Sequence, residues 1–138
     1  MLGCTLKSTE NAEIFLYYSS SCVISGNVLR QELNPPANEG IILSNSDRNS
    51  ITSNSIDGYL YCIDFTESDN NDVVANICMN CQYAIYTYNS NNNNVLGNYL
   101  GGTDGDLYSV SSTFLHYLAN QGSQTNQISG DLSVSGTI

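Results

Sequence analysis

Apolar and polar positions recur along the chain with a period of 22 residues. The segments that begin at Gly40, Cys62 and Ala84 read GIILS, CIDFT and AIYTY, and they align without gaps. Apolar residues alternate within each coil, as is typical of a strand that buries one face. A repeat of this length predicts parallel coils that stack at roughly 4.8 Å and bury their apolar faces against one another.

Three apolar columns and two asparagine columns follow from this register. We predict that nine residues point inward: Ile41, Ile63, Ile85, Ile51, Val73, Val95, Ile56, Cys78 and Leu100. The asparagines fall at bends, at positions 49, 71 and 93 and at positions 54, 76 and 98. We expect them to adopt left-handed backbone geometry and to bond their amides to the next coil.

The repeat predicts one all-β domain, a right-handed parallel β-helix of five to six coils that spans residues 1–138. An earlier coil fits after five residues are inserted at the Pro35-Pro36 loop, and Gly3–Leu6 aligns with Gly26–Leu29. The segment around 114–118 reads as an insertion that delays the second half of the last coil. The predicted coils are 1–12 (partial), 13–39 (with the proline loop), 40–61, 62–83, 84–105 and 106–138 (irregular, with the insertion).

The coil from Gly40 to Ile56 resembles the repeat of pectate-lyase-like right-handed β-helix proteins. The resemblance covers most of the chain. That superfamily includes polysaccharide lyases, hydrolases and epimerases, phage tailspikes and non-catalytic surface proteins. The resemblance therefore implies a fold and an association with carbohydrate, but no particular reaction.

An enzyme of this superfamily would carry paired carboxylates, or acid-bound calcium with a basic residue, on an exposed sheet face. The outward positions of the first strand of each coil hold one carboxylate, Asp64, with no Lys or Arg aligned beside it. We therefore assign no catalytic residue. A polysaccharide-active enzyme fragment is the alternative, and a second carboxylate within reach of Asp64 would favour it.

Aromatic residues dominate the same outward face. Tyrosine suits either sugar rings or a protein partner, because it combines a flat apolar surface with a polar tip. The strand propensity of tyrosine, or coverage by the 114–118 segment, would also explain the pattern. The predicted binding surface consists of Phe15, Tyr17, Asp64, Tyr86, Tyr88 and Tyr108.

Charge excludes some classes of partner. The chain has 13 acidic and 3 basic residues, a formal net charge of -10, so its field repels phosphate backbones and anionic lipid surfaces. We expect no nucleic-acid partner and no membrane insertion. No export signal is visible at the N-terminus.

Two features of the sequence bear on metal binding. Cys78-Met79-Asn80-Cys81 has the spacing of a zinc half-site or a redox pair, but no second cysteine pair follows and His116 is the only histidine. Asp47 and Asp69 occupy equivalent turn positions, where acidic residues are also ordinary turn formers. We predict no metal and no cofactor.

The favoured function is a non-catalytic structural, receptor-binding or glycan-binding β-helix module. Because both sequence ends read as unpaired coil segments, we expect a homo-oligomer or filament. Such modules occur as virion spikes or tail components and in extracellular surface assemblies. The expected location is therefore extracellular, at the cell surface or in a virion.

Overall fold

The computed structural model describes residues 5–6, 12–32, 38–112, 115–118, 120–122 and 127–129, and these residues form stacked parallel strands. No helix occurs among them, so none there could span a bilayer. The strands are Thr5–Leu6 (β1), Ile14–Tyr17 (β2), Val23–Ser25 (β3), Val28–Arg30 (β4), Ile41–Ser44 (β5), Ser50–Thr52 (β6), Ser55–Asp57 (β7), Tyr61–Thr66 (β8), Asp72–Val74 (β9), Ile77–Tyr88 (β10), Asn93–Leu96 (β11), Tyr99–Val110 (β12), Leu115–Leu118 (β13), Gln121–Gly122 (β14) and Gln127–Ser129 (β15).

Three sides enclose the core. The front sheet contains β2, β5, β8, residues 83–88 of β10, residues 105–110 of β12, and β15. The back sheet contains β3, β6, β9, β11 and β13. The third side contains β1, β4, β7, β14 and the first residues of β10 and β12, which turn a corner into the front sheet. The predicted right-handed parallel β-helix is confirmed.

The 22-residue register is also confirmed. Ile41 pairs with Ile63 and Ile63 with Ile85 in the front sheet, while Ile51 pairs with Val73 and Val73 with Val95 in the back sheet. All nine residues predicted to point inward are fully buried. β1 pairs with β4 in the predicted register, Thr5 opposite Val28 and Leu6 opposite Leu29.

The corner into the front sheet, at Gly58 and Asn80, is followed by Tyr59 and Cys81, whereas the other bends of coils 40–61 and 62–83 share one device. A residue with positive φ is followed by a buried serine or asparagine whose side-chain oxygen accepts the backbone N–H of the preceding coil. Asn49 N–H donates to Asn71 Oδ1 at 2.8 Å, and Ser46 N–H donates to Ser68 Oγ at 3.0 Å. These contacts repeat from coil to coil, so they form continuous ladders along the solenoid.

The prediction that the ladder asparagines adopt left-handed backbone geometry is wrong: the left-handed residue is the one before each asparagine. Positive φ belongs to the residue before each ladder asparagine, such as Asn70 at 59° and Ala75 at 56°. The asparagine itself must point inward to reach the neighbouring coil, so the preceding residue takes the left-handed turn. The predicted amide contacts between coils are confirmed.

The predicted insertion at 114–118 is wrong for Leu115–Leu118. This segment forms β13 and pairs with Asn93–Leu96 of β11, 22 residues earlier, and Gln121 pairs with Tyr99 in the same register. Phe114 and the loop at Pro35-Pro36 lie outside the described residues.

Candidate functional site

Two outward columns of the front sheet bring the predicted site residues together. Inward side chains alternate with outward ones along β2, β5, the last four residues of β8 and residues 85–88 of β10, which places every second residue there on the outer face. One column contains Phe15, Ile42, Asp64, Tyr86 and Tyr108. The other contains Tyr17, Ser44, Thr66, Tyr88 and Val110.

The most exposed aromatic side chains lie on β2 and the bend that follows it. Phe15 and Tyr17 are each 57% exposed and Tyr18 is 70% exposed. The rings of Tyr17 and Tyr18 meet edge to face with centroids 4.3 Å apart, and Phe15 lies 5.9 Å from Tyr17. We call these three residues the aromatic trio. The sequence did not predict Tyr18 as part of this surface, because it lies in a bend, where the alternation of apolar and polar residues along a strand does not apply.

A second aromatic group, the tyrosine quartet, consists of Tyr61, Tyr83, Tyr86 and Tyr108. The rings of Tyr61 and Tyr86 stack with centroids 4.6 Å apart and planes 9° apart, and those of Tyr83 and Tyr108 stack at 4.9 Å. Contacts of 5.5–6.1 Å join the two pairs. Because each ring packs on another, the quartet is half-buried and offers less ring surface than the trio.

Sequence reasoning missed Tyr61 and Tyr83, which it placed at the ends of their coils. Cys62 and Ile63 are both buried, so the front strand has two consecutive inward residues at this corner. Simple alternation back from Asp64 would place residue 62 on the outer face. Because Cys62 points inward, Tyr61 takes the outward position instead. The spacing of 22 between Tyr61 and Tyr83 was the available signal.

Asp64 does not lie on an open face as predicted; its side chain is only 8% exposed. Thr66 Oγ1 donates to Asp64 Oδ1 at 3.0 Å. The pKa of Asp64 is raised to about 7: burial is the main cause, the hydrogen bond from Thr66 lowers the pKa in part, and the negative charge of Glu39 raises it. Burial also raises the pKa of Tyr61 and of Tyr86, and the charge of Asp64 adds to the shift in each.

The raised pKa predicts that Asp64 makes stability depend on pH. The folded chain holds a proton on Asp64 that the unfolded chain releases from about pH 4, so the free energy of unfolding should fall between about pH 4 and pH 7. Asp64→Asn removes this contribution. Urea unfolding of both proteins should therefore show a difference that changes by roughly 2–4 kcal/mol between acidic and neutral pH. A difference independent of pH would contradict the assignment.

Shorter side chains lie on the outer face between the trio and the tyrosines of β10, and Tyr61, at the start of β8, is the one ring of the quartet on an intervening strand. Ile42 and Ser44 on β5, and Asp64 and Thr66 on β8, separate the trio from Tyr86 and Tyr88 on β10. We call these four residues the central trough. Three strand spacings separate β2 from β10, a distance of roughly 14 Å. The trough therefore runs parallel to the strands, with an aromatic wall on each side and with Ser44 and Thr66 as the partly exposed polar groups of its floor.

One further carboxylate lies near Asp64. Glu39, two residues before the front strand β5, helps to raise the pKa of both Asp64 and Tyr61 through its negative charge. Sequence reasoning compared only positions within the strands and so left Glu39 out. The front sheet still offers no basic side chain beside Asp64 among its described residues.

The acidic turn positions serve as ladder contacts. Asp69 N–H donates to Asp47 Oδ1 at 2.8 Å, and Asn91 N–H donates to Asp69 Oδ1 at 2.6 Å. Across the described part of the chain, no group of three or more His, Cys, Asp and Glu side chains is arranged to hold a metal ion. Cys78 and Cys81 are both buried, and the side chain of His116 lies outside what is described.

Comparison with known proteins gives a family. No curated protein and no solved structure matches the chain. One protein-family model does, and it carries the description "Periplasmic copper-binding protein (NosD)". The match covers residues 1–135, nearly the whole sequence, and the chain therefore belongs to the NosD family.

Proposed function

We propose that this chain is a non-catalytic module of the cell envelope that binds a neutral carbohydrate chain in the central trough. The observation that carries the proposal is the arrangement of the front sheet. Two aromatic walls, Phe15 with Tyr17 and Tyr86 with Tyr88, face each other across two rows of shorter side chains.

The chemistry of these groups fits a sugar. The C–H faces of a pyranose ring pack on exposed aromatic rings, and its hydroxyls need a few convergent polar groups. Ser44 and Thr66 supply hydroxyls in the floor, and both are partly exposed. Tyr17 and Tyr88 supply ring surface at the walls, 57% and 39% exposed. The formal net charge of -10 disfavours an anionic polysaccharide and favours a neutral one.

The family description supports a location in the cell envelope, because it names a periplasmic protein. The description gives no support for a location in a virion. The self-association predicted from the sequence stays a prediction.

The copper named in the family description does not fit the described residues. Copper(I) prefers deprotonated thiolates, whereas Cys62, Cys78 and Cys81 are fully buried. Burial holds the pKa of Cys62 well above its usual range, which disfavours the thiolate. Since these residues also form no group of three that could hold a metal ion, we assign copper no role at them.

Calorimetric titration with neutral hexasaccharides built from glucose, xylose or mannose tests the proposal. We expect at least one to bind, and an oligogalacturonate of the same length to bind more weakly. Tyr17→Ala and Tyr88→Ala should each reduce the affinity roughly tenfold, because each removes ring contact worth about 1 kcal/mol or more.

Tyr99→Ala is the matched control. Tyr99 is 48% exposed but lies on the third side of the solenoid, so its loss should leave the affinity unchanged. Equal losses in Tyr99→Ala and Tyr17→Ala, or no binding of any neutral hexasaccharide, would contradict carbohydrate binding in the trough.

A polysaccharide hydrolase is the second candidate, and Glu39 favours it. A protonated Asp64 with a second carboxylate nearby is the pair of groups that glycoside hydrolysis requires. The same hexasaccharides, analysed for shorter products after incubation, separate the two functions. We expect no cleavage; release of products that stops in Asp64→Asn would replace the binding function with the enzymatic one.

A further inference from the structure

Three cysteines fill one corner of a single coil. Cys62 is the second residue of the front strand β8, Cys78 lies on the third side of the same coil, and Cys81 lies in the corner that leads to the next coil. All three side chains are fully buried, and all three are free thiols in this structure. None of the three lies in the outer columns of the front sheet or in the Ser and Asn ladders.

The neighbouring coils fill the same corner without sulfur. Positions 22 residues earlier hold Gly40, Ile56 and Tyr59, which contact one another: a Cβ added at Gly40 would lie 2.7 Å from Ile56 Cγ2 and 3.3 Å from Tyr59 Cδ2. In the following coil Leu100 pairs with Cys78 and Gly102 with Cys81. Packing this corner therefore does not require cysteine, and three thiols in one layer need a further explanation.

The three cysteine positions adjoin one another, as the Gly40 geometry one coil earlier shows, and the orientations of two of the thiols differ. Burial, and after it the proximity of the Cys78 and Cys81 thiols, holds the pKa of the Cys62 thiol well above its usual range. Cys62 Sγ lies 3.7 Å from the carbonyl oxygen of Ile56, the residue that pairs directly with Cys78. Cys81 Sγ instead lies 3.9 Å from the carbonyl oxygen of Gly101 in the next coil. Cys62 Sγ is thus directed to the third side of the solenoid, at the residue of β7 that pairs with Cys78, while Cys81 Sγ is directed to the following coil.

We propose that Cys62 and Cys78 form a disulfide when the chain folds in an oxidising compartment, and that Cys81 remains a thiol. The bond would close this coil into a covalent ring across the core. A periplasmic location, as proposed above, would supply the oxidising conditions.

The reaction needs a disulfide oxidant, for which glutathione disulfide serves as the probe. The thiolate of one cysteine attacks a glutathione sulfur, which forms a mixed disulfide and releases one glutathione thiolate. The second cysteine, deprotonated, attacks the protein sulfur of that mixed disulfide and displaces the other glutathione. Two protons and two electrons leave the protein, and one glutathione disulfide becomes two glutathione thiols. Because the folded core buries all three thiols, the exchange must occur before the corner closes.

Peptide mapping of the full chain tests the pairing. The chain is refolded from denaturant with glutathione disulfide, and its remaining thiols are alkylated in denaturant. A protease that cleaves after acidic residues separates Cys62 from the other two cysteines at Glu67 and Asp72. Cyanogen bromide then cleaves at Met79, which lies between Cys78 and Cys81. We expect a Cys62–Cys78 peptide pair and an alkylated Cys81.

Two serine variants provide matched controls. Cys81→Ser should keep the disulfide, and Cys78→Ser should lose it. The oxidised protein should also unfold at a higher urea concentration than the reduced one, a difference that Cys78→Ser should abolish. A link between Cys62 and Cys81, a link between Cys78 and Cys81, or alkylation of all three cysteines would overturn the proposal.

Discussion

Replacing Val73 with aspartate is expected to abolish folding. Val73 is fully buried in the back sheet, where it pairs with Ile51 on one side and Val95 on the other. A carboxylate at this position would have apolar neighbours in both adjacent coils, and an unpaired buried charge costs several kcal/mol or more. Domains of this size have only about 5–15 kcal/mol of stability in total. Circular dichroism should show loss of the native spectrum, and urea should give no cooperative transition.

Val74→Asp is the matched control for this substitution. Val74 is the next residue of the same strand, β9, and its side chain points to the outer face, where it is partly exposed. We expect this variant to fold and to lose less than about 1 kcal/mol, as surface substitutions usually do. If Val73→Asp folded as well as Val74→Asp, the inward register of the back sheet would be wrong.

The sequence predicted the fold because the solenoid repeats one local pattern. Stacking places equivalent residues in contact, so each column read from the alignment corresponds directly to a series of strand pairs. The column of Ile56, Cys78 and Leu100 is an example. Parallel in-register pairing needs no long-range information beyond the period. The core was therefore accessible from the spacing alone.

The sequence could not predict side-chain positions that depart from the regular alternation of inward and outward residues. Asp64 occupies an outward position but is buried, and the nearby rings of Tyr61 and Tyr86 stack on each other in an arrangement that depends on side-chain rotamers rather than on the period. Tyr61 joined the quartet only because Cys62 and Ile63 both turn inward. The left-handed residue was assigned one position late because asparagine tolerates that geometry, whereas here asparagine serves the ladder instead.

The ladders matter to the candidate site because they set the spacing of the front strands. Each bend has backbone groups that are buried and that lie outside the strand pairing, and a buried N–H without a partner is costly. The ladder residues accept these N–H groups, as Asn98 Oδ1 does for Asn76 at 2.8 Å. The regular separation of the aromatic walls on the front sheet therefore depends on side chains on the opposite sides of the coil.

Replacing Asn76 with alanine should accordingly destabilise the protein by about 3–5 kcal/mol. Asn76 Oδ1 accepts the backbone N–H of Asn54 at 2.9 Å, and Asn76 Nδ2 donates to the carbonyl oxygen of Ile51 at 2.8 Å. Alanine leaves both partners buried and without these contacts, and each costs about 1–3 kcal/mol. Asn94→Ala is the control, because Asn94 Nδ2 contacts Asp72 Oδ1 at the exposed surface. Its loss should cost less than about 1 kcal/mol. Urea unfolding measures both, and equal losses would mean that the buried ladder contributes no more than a surface contact.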